Sequence, residues 1–222
     1  MCGAFSVIHP FRDLSQRFNA GYNESPVQPR YNVRPSQPIP TILNTDPEVI
    51  VHTQWGIHPF YDKTGKMFFI NARNDSMVKP TWKKMIQEQR CLILADGFYE
   101  WQKQLDTKLK VPYRFELKDK EPFAFAGLWQ YEQDDKGNKV PHSVIITTTP
   151  NEVVEDVHDR MPVILTPSNE KDWLNPDVAA EDAIEMLIPY PAKEMVSYPI
   201  STLVNSPSND SVEIIKPAEN SK

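Results

Sequence analysis

Eight short runs rich in apolar, aromatic and β-branched residues recur along the chain, and they constrain its fold more than any other feature. They are GAFSVI (3–8), IPTILN (39–44), EVIVHTQW (48–55), KMFFIN (66–71), CLILA (91–95), VPYRFEL (111–117), FAFAGLWQY (123–131) and HSVIITTT (142–149). Turn-forming residues bound them, so each run predicts a strand. The turn DDKGNK (134–139) predicts a hairpin over 123–149, and VEII (212–215) predicts one further strand near the end.

Helical patterns are fewer. They cover residues 10–20, 79–89, 166–174 and 177–187, the first with Pro in its first turn and the third with Thr or Ser as N-cap. Because strands and helices do not alternate, a doubly wound sheet is not expected. The pattern predicts an α+β fold: one β-rich domain over residues 1–216 with peripheral helices, and a disordered tail at 217–222.

Composition narrows the functional classes. No apolar run approaches the 18 residues of a membrane span, and no signal pattern opens the chain, so we expect a cytoplasmic protein. The only two cysteines, Cys2 and Cys91, form no CxxC motif, and we expect neither a disulfide framework nor a metal or other cofactor. The net charge is −6, yet residues 1–110 hold 14 basic against 10 acidic residues. A polyanion site would therefore draw on the N-terminal half.

The second residue carries the sharpest chemical signal. Aminopeptidases generally trim Met before a small residue, and the trimmed chain would start with the amine and thiol of Cys2 on adjacent carbons. An amine of pKa about 8 and a thiol of pKa about 8.5 both reach their nucleophilic forms near neutrality. The amine forms a Schiff base with an aldehyde, and the thiol can close a five-membered thiazolidine. This chemistry favours aldehyde capture over ester turnover.

Three further segments place polar residues at predicted strand ends, where sites are commonly built. His158 in VHDRMP could be a structural residue, or it could exchange protons near neutrality, with Asp159 to orient it. Glu100 in DGFYEW shares a strand face with Phe98, as either an edge residue in water or a desolvated acid of raised pKa. Asn71 in INAR could simply form a turn. Arg73 and Arg160 could bind phosphate or form surface ion pairs.

Taken together, the strings MCG, YNVRP, WG, INAR, DGFYEW and HDRMP resemble the SOS-response-associated peptidase (SRAP) family, from Cys2 to about residue 210. The resemblance implies a β-rich domain with a barrel-like core and a basic cleft. It also implies binding to single-stranded DNA with abasic sites as the partner, or to single-strand/double-strand junctions, with no membrane or obligate protein partner. The expected activity is a thiazolidine crosslink to the abasic site, of lyase type, with self-processing of the N-terminus.

The resemblance assigns roles to individual residues. Cys2 would be the nucleophile, Asn71 would position the reacting terminus, Glu100 would be the general acid and base, and His158 would shuttle a proton at the sugar oxygen. DNA contacts would come from Asn32, Arg34, Pro35, Trp55, Arg73, Trp101 and Arg160, in which aromatic rings can stack on bases.

Two departures from the family pattern affect the DNA contacts. Ala4 stands where the family usually has Arg, which removes one phosphate contact. INAR is followed by Asn74, Asp75 and Ser76 instead of a small residue, Glu and Thr, so the acidic side chain is shorter. Neither departure touches the four residues assigned to the chemistry.

Other functions compete with this interpretation. A glutamine amidotransferase domain also begins with Cys-Gly, but commonly uses an Asn-Gly pair as its oxyanion donor, and the chain contains no Asn-Gly. A reader of modified bases would not need Cys2. A general protease is disfavoured because no Ser/His/Asp set or metal motif is visible, which confines any peptidase activity to the chain's own N-terminus.

Overall fold

The structure, a computed structural model, describes residues 2–22, 28–104 and 109–218. Its strands are β1 (Phe5–Val7), β2 (Gly21–Tyr22), β3 (Arg30–Val33), β4 (Pro38–Leu43), β5 (Asp46–Trp55), β6 (Asn71–Arg73), β7 (Arg90–Ala95), β8 (Gly97–Lys103), β9 (Lys110–Leu117), β10 (Phe123–Gln133), β11 (Lys139–Thr148), β12 (Met161–Pro162) and β13 (Met195–Pro199). Its α-helices are α1 (Phe11–Phe18), α2 (Pro80–Glu88), α3 (Pro167–Leu174) and α4 (Ala180–Glu185). Single 3₁₀ turns span Asn74–Ser76, Ala192–Glu194, Thr202–Asn205 and Val212–Ile215.

Five strands close into a barrel. β11, β10, β7, β4 and β5 pair in that order through antiparallel contacts. β5 then returns to β11 in parallel, with Gln54 opposite His142 and Trp55 opposite Ser143. β2 extends this sheet from β5, while β6 and β12 both pair with β11. The α+β fold with a barrel-like core, expected from the family resemblance, is confirmed.

A second, antiparallel sheet in the order β13-β9-β8-β1-β3 packs against the barrel. Aromatic rings join the two sheets: the ring of Phe5 on β1 lies 5.0 Å from Trp55 and 5.7 Å from Phe125. Phe98 on β8 stacks on Phe115 at 4.8 Å. Each of these buried rings contributes about 1.5–3 kcal/mol of hydrophobic stabilisation, so β1 and β8, which flank the N-terminus, rest on a rigid core.

A buried polar network fixes β1 in position. The Ser6 hydroxyl donates to Asp96 at 2.6 Å and accepts from Arg114 at 2.7 Å, and Arg114 also pairs with Asp96 at 3.3 Å. The Asp96 carboxylate accepts the backbone amides of Ile8 and His9 as well. Because each buried charge has a partner, the network avoids the cost of an uncompensated ion and holds the segment that follows Cys2.

Most predicted elements are confirmed within a few residues. The 123–149 hairpin forms with its turn at the expected place, and all four predicted helices exist, although α4 is shorter than the predicted 177–187. Thr166 is the N-cap of α3, but its side chain bonds Ser168 at 2.9 Å and not the helix backbone. Among the described helices, none is long and apolar enough to cross a membrane. The end of the predicted tail, residues 219–222, lies outside the described residues.

Two strand predictions are wrong. The run at 66–71 forms no strand before Asn71: Phe69 makes a single bridge to Ile57, and Met67 and Phe68 are exposed. The run at 212–215 is a 3₁₀ turn that buries Ile214 in a small cluster with Ala4 and Tyr99. Short apolar runs fit either a strand or one buried contact, and periodicity alone does not distinguish the two.

Candidate active site

A hydrogen bond links the side chain of Asn71 to the backbone of Cys2. Asn71 begins β6, which pairs in parallel with β11 next to Ile145. Its side-chain amide donates a hydrogen bond of 2.8 Å to the backbone carbonyl of Cys2, and its Oδ1 atom is buried without a partner among the described residues. Asn71 therefore fixes the backbone of residue 2 and retains one acceptor for a further donor.

The thiol of Cys2 is completely buried. Its Sγ atom lies 3.7 Å from the carbonyl oxygen of Ala4. Burial, reinforced by the nearby negative charge of Glu100, raises the pKa of the Cys2 thiol well above its usual range. In this buried environment the thiol therefore needs a base beside it to reach its nucleophilic form.

Glu100 is a desolvated acid. Its strand β8 lies between β1 and β9, and the alternation that places Glu100 and Phe98 on one face directs both inward, leaving Glu100 only 2% exposed. Burial raises its pKa to about 7. Of the two alternatives that the sequence left open, the partly desolvated carboxyl is confirmed. A carboxyl titrating near neutrality can both accept and donate a proton.

His158 lies beside this carboxyl. Its Nε2 atom is 3.8 Å from Glu100 Oε2, while Nδ1 is 3.0 Å from the Arg160 amide and 2.9 Å from Asp159 Oδ1. The Arg160 amide donates to Nδ1 and so requires it to be unprotonated, whereas the Asp159 carboxylate favours a protonated Nδ1. Burial lowers the pKa of His158, and Asp159 is 89% exposed, so we assign the neutral ring, with its proton on Nε2 facing Glu100.

A cleft of about 560 Å³ opens in front of the Glu100–His158 pair. Its walls come from β8, the start of β9 and the loop before β12, and it is lined by Glu100, Trp101, Gln102, Lys103, Lys110, Glu155, Asp156, Val157, His158 and Asp159. The four residues assigned to the chemistry thus lie together: Asn71 bonds Cys2, Glu100 acts on the Cys2 thiol through its charge, and His158 contacts Glu100.

The predicted phosphate ligand Arg73 is exposed but paired. Its guanidinium contacts Asp75 at 2.5–3.2 Å, with 57% and 52% of the two side chains exposed. Asp75 is one of the two departures from the family pattern, and it occupies the donors that a phosphate would use. An exposed ion pair of this kind contributes only about 0–1 kcal/mol to stability. A polyanion can therefore compete with Asp75 for Arg73.

Arg34, Pro35 and Trp101 lie at the surface. The Arg34 guanidinium is 5.6 Å from the centre of the Trp101 ring, and the indole nitrogen of Trp101 donates to Asn205 at 2.7 Å. Pro35 is partly exposed beside them. By contrast, the Asn32 side chain is buried and donates to the carbonyls of Val204, Ser206 and Asn209.

Trp55 and Arg160 are the other predicted DNA ligands that the fold buries. Trp55 is 0% exposed and its indole donates to the Ile70 carbonyl at 2.9 Å, so it packs in the core and does not reach a base. Arg160 is 8% exposed and its Nη2 donates to Thr147 and to Asn74. In this structure the side chains of Asn32, Trp55 and Arg160 therefore hydrogen-bond to groups within the fold.

Two groups near the site were missed by the sequence analysis. Asp96, the first residue of DGFYEW, anchors the segment after β1, and an acid directly before a buried Gly97 was the available signal. Lys103 and Lys110 line the cleft, but in the sequence they look like ordinary surface lysines, because only strand pairing brings them together.

Comparison with known proteins decides the family. The model for "SOS response associated peptidase (SRAP)" matches residues 1–207. The chain belongs to the SRAP family. Among curated proteins, this SRAP chain is 45% identical over 223 residues to the abasic site processing protein YoqW of Bacillus subtilis, covering 97% of this chain and 99% of that protein.

More distant SRAP relatives and solved structures agree. The abasic site processing protein YedK of Escherichia coli is 28% identical, with 98% of this chain and 100% of that protein covered. HMCES of Gallus gallus, also an abasic site processing protein, is 29% identical over 88% of this chain and 68% of its own. A crystal structure of a protein from Bacteroides thetaiotaomicron superposes with a TM-score of 0.87 at 26% identity, covering 98% and 100% of the two chains.

Proposed function

We propose that this SRAP protein captures abasic sites in single-stranded DNA by forming a thiazolidine with Cys2 after Met1 is removed. The observation that carries this proposal is a chain of interactions that leads from residue 2 through Asn71 and Glu100 to His158. Asn71 holds the Cys2 carbonyl at 2.8 Å, the charge of Glu100 acts on the Cys2 thiol, and His158 lies 3.8 Å from Glu100. Relatives named as abasic site processing proteins support the substrate class.

Removal of Met1 is the first step, because the Cys2 nitrogen is an amide until that peptide bond is hydrolysed. One water molecule is consumed, and the products are free methionine and a chain that begins with the Cys2 amine. We assign the general base for self-processing to Glu100, whose pKa of about 7 lets it accept a proton at neutrality. Asn71 keeps the Cys2 carbonyl in place during the cleavage.

Capture then proceeds in two bond-forming steps. The Cys2 amine adds to C1′ of the open-chain deoxyribose, and the carbinolamine loses water to form an imine. The Cys2 thiol next adds to the imine carbon, with its proton transferred to the nitrogen, which closes a five-membered ring. One water molecule is released overall, and no oxidant or reductant is needed.

The buried carboxyl and the imidazole divide the proton transfers. Protonated Glu100 donates to the departing hydroxyl of the carbinolamine, and its carboxylate then accepts the thiol proton, which a thiol of such raised pKa does not release to water. Neutral His158 exchanges a proton with the sugar oxygen during ring opening. We assign DNA contacts to Arg34, Pro35, Arg73 and Trp101, and we assign to Arg160 the role of positioning the loop that carries His158.

The test uses purified protein and a single-stranded oligonucleotide with one abasic site, resolved on a denaturing gel. We expect a slow band with the wild type, and none with Cys2→Ala or with an oligonucleotide lacking the abasic site. Ammonia release from glutamine is assayed in parallel. Glutamine hydrolysis without a DNA band would instead assign the site to an amidotransferase and overturn the proposal.

A further inference from the structure

Two lysines lie directly opposite each other at the mouth of the cleft. Lys103 ends β8, Lys110 begins β9, and the antiparallel register pairs the two residues. Directly paired residues have Cβ atoms about 4.5–5.5 Å apart, and like charges in that position destabilise a sheet. Both side chains are exposed, and neither forms an ion pair with any residue that the structure describes. A bound anion would offset this repulsion.

The lysine pair continues a basic and aromatic surface. Because side chains alternate along a strand, Trp101 and Lys103 lie on the same face of β8, and Lys110 joins them across the register. The Arg34 guanidinium lies 5.6 Å from the Trp101 ring. Positive groups interleaved with an aromatic ring are typical of surfaces that follow a single nucleic-acid strand. This surface ends at the cleft that contains Glu100 and His158.

The opposite wall of the cleft is acidic. Glu155, Asp156 and Asp159 line it, and Gln102 ties this wall to β8 by donating to the Asp156 carbonyl at 2.9 Å. These carboxylates repel a phosphate, so an anion in the cleft is driven to the β8–β9 side. The charge distribution therefore favours a DNA backbone on the β8–β9 side of the cleft.

We propose that Lys103 and Lys110 form a clamp for one phosphate of the DNA strand, adjacent to the nucleotide that reacts with Cys2. The proposal rests on the proposed function, because it places that phosphate beside the reacting sugar. Lysine side chains are long and flexible, so both ammonium groups can reach one phosphate from opposite positions on the hairpin.

The clamp also influences the reacting groups. Burial raises the pKa of Glu100, and the charge of Lys110 opposes that rise. Burial lowers the pKa of His158, and the charge of Lys103 lowers it further. A phosphate bound between the lysines neutralises these charges, so DNA binding favours the protonated Glu100 that the carbinolamine step requires.

The first test measures binding of an undamaged single-stranded oligonucleotide by fluorescence anisotropy across a salt series, which requires no chemistry at Cys2. For K103Q/K110Q we expect the slope of log affinity against log salt to fall by about 0.7, and affinity at 0.1 M salt to drop roughly 5-fold, as for the loss of one phosphate contact. The matched control is K118Q/K120Q, two exposed lysines just beyond the far end of β9, which should keep the wild-type slope.

A second test identifies which phosphate of the DNA the two lysines bind. Neutral methylphosphonates replace, one at a time, the phosphates around an abasic site, and the crosslinking rate is measured for the wild type and for K103Q/K110Q. We expect one position to slow the wild type about 5-fold and to leave the double variant unaffected. Equal responses of both proteins at every position would overturn the clamp while leaving the proposed function intact. Wild-type binding without any crosslink would overturn the proposed function alone.

Discussion

His158 Nε2 lies 3.8 Å from Glu100 Oε2, and burial shifts the pKa values of the two groups in opposite directions. It raises the pKa of the carboxyl to about 7 and lowers that of the imidazole, so at neutrality both forms of the carboxyl are populated while the imidazole favours its neutral form. Such a pair can both deliver and accept a proton near neutrality. This property suits the successive loss of water and addition of a thiol that imine formation and ring closure require.

Glu100 should reduce the stability of the fold at high pH. Folded Glu100 keeps its proton up to about pH 7, whereas its ordinary pKa is 4.5, so unfolding releases a proton between these values. The free energy of unfolding therefore falls as pH rises from about 4.5 to 7, by at most about 3 kcal/mol. Urea denaturation should show E100Q more stable than the wild type at pH 8 but not at pH 4.5, with Glu48→Gln as the exposed control. Parallel wild-type and E100Q curves across this range would contradict the assignment.

Asn71→Ala should slow crosslinking as well as destabilise the protein. The substitution removes the 2.8 Å hydrogen bond to the Cys2 carbonyl and costs about 1–3 kcal/mol for the unsatisfied carbonyl, while misplacement of the reacting terminus costs roughly 100-fold in rate. The control is Asn44→Ala, which removes a similar bond to the Glu88 carbonyl at 3.0 Å and also the acceptor of the Trp129 indole N–H, away from the cleft. Equal crosslinking rates for the two folded variants would count against a positioning role for Asn71.

Asp75 should limit DNA affinity by occupying Arg73. Asp75→Asn removes the charge that holds the guanidinium and frees roughly one phosphate contact, which predicts about 5-fold tighter binding of single-stranded DNA at 0.1 M salt and a steeper salt dependence. Asp46→Asn, at the exposed start of β5, removes the same charge elsewhere. Unchanged affinity in the Asp75 variant would show that Arg73 does not contact the backbone.

Substitutions of Trp101 and Trp55 should have different effects, the first on DNA binding and the second on folding stability. Trp101→Ala should weaken single-stranded DNA binding by about 1–3 kcal/mol, the usual contribution of one stacked base. Trp55→Phe should lower the Tm, because the buried bond to the Ile70 carbonyl is lost, yet leave the affinity of the folded protein unchanged. Anisotropy titrations and thermal melts measure both quantities. A binding loss confined to the Trp55 variant would reverse these roles.

The sequence predicted this fold where the strands lie in the buried barrel wall. The runs at 91–95 and 123–131 form strands whose side chains are almost all buried there, so their apolar pattern reports their structure. Those at 66–71 and 212–215 failed because tertiary contacts bury few of their side chains: Phe69 and Ile70 are only partly buried, and Ile214 alone is fully buried. Local pattern does not encode that difference.

The candidate site, like the fold, could be predicted from the sequence only in part. Position alone singled out Cys2, and motif context singled out Asn71, Glu100 and His158. Burial could not be inferred for Trp55, Asn32 or Arg160, whose surroundings come from distant segments such as residues 204–209. The sequence also did not reveal that Lys103 and Lys110 are neighbours, because only the register of β8 and β9 brings them together.

The most direct measurement is the intact mass of the adduct between the protein and an abasic oligonucleotide, made with and without borohydride. We predict a mass equal to the chain without Met1 plus the oligonucleotide minus one water, stable without reduction. Cys2→Ala, which keeps an amine but lacks the thiol, should give an adduct only when borohydride traps the imine. A wild-type adduct that retains Met1, or that survives only after reduction, would contradict thiazolidine formation at Cys2.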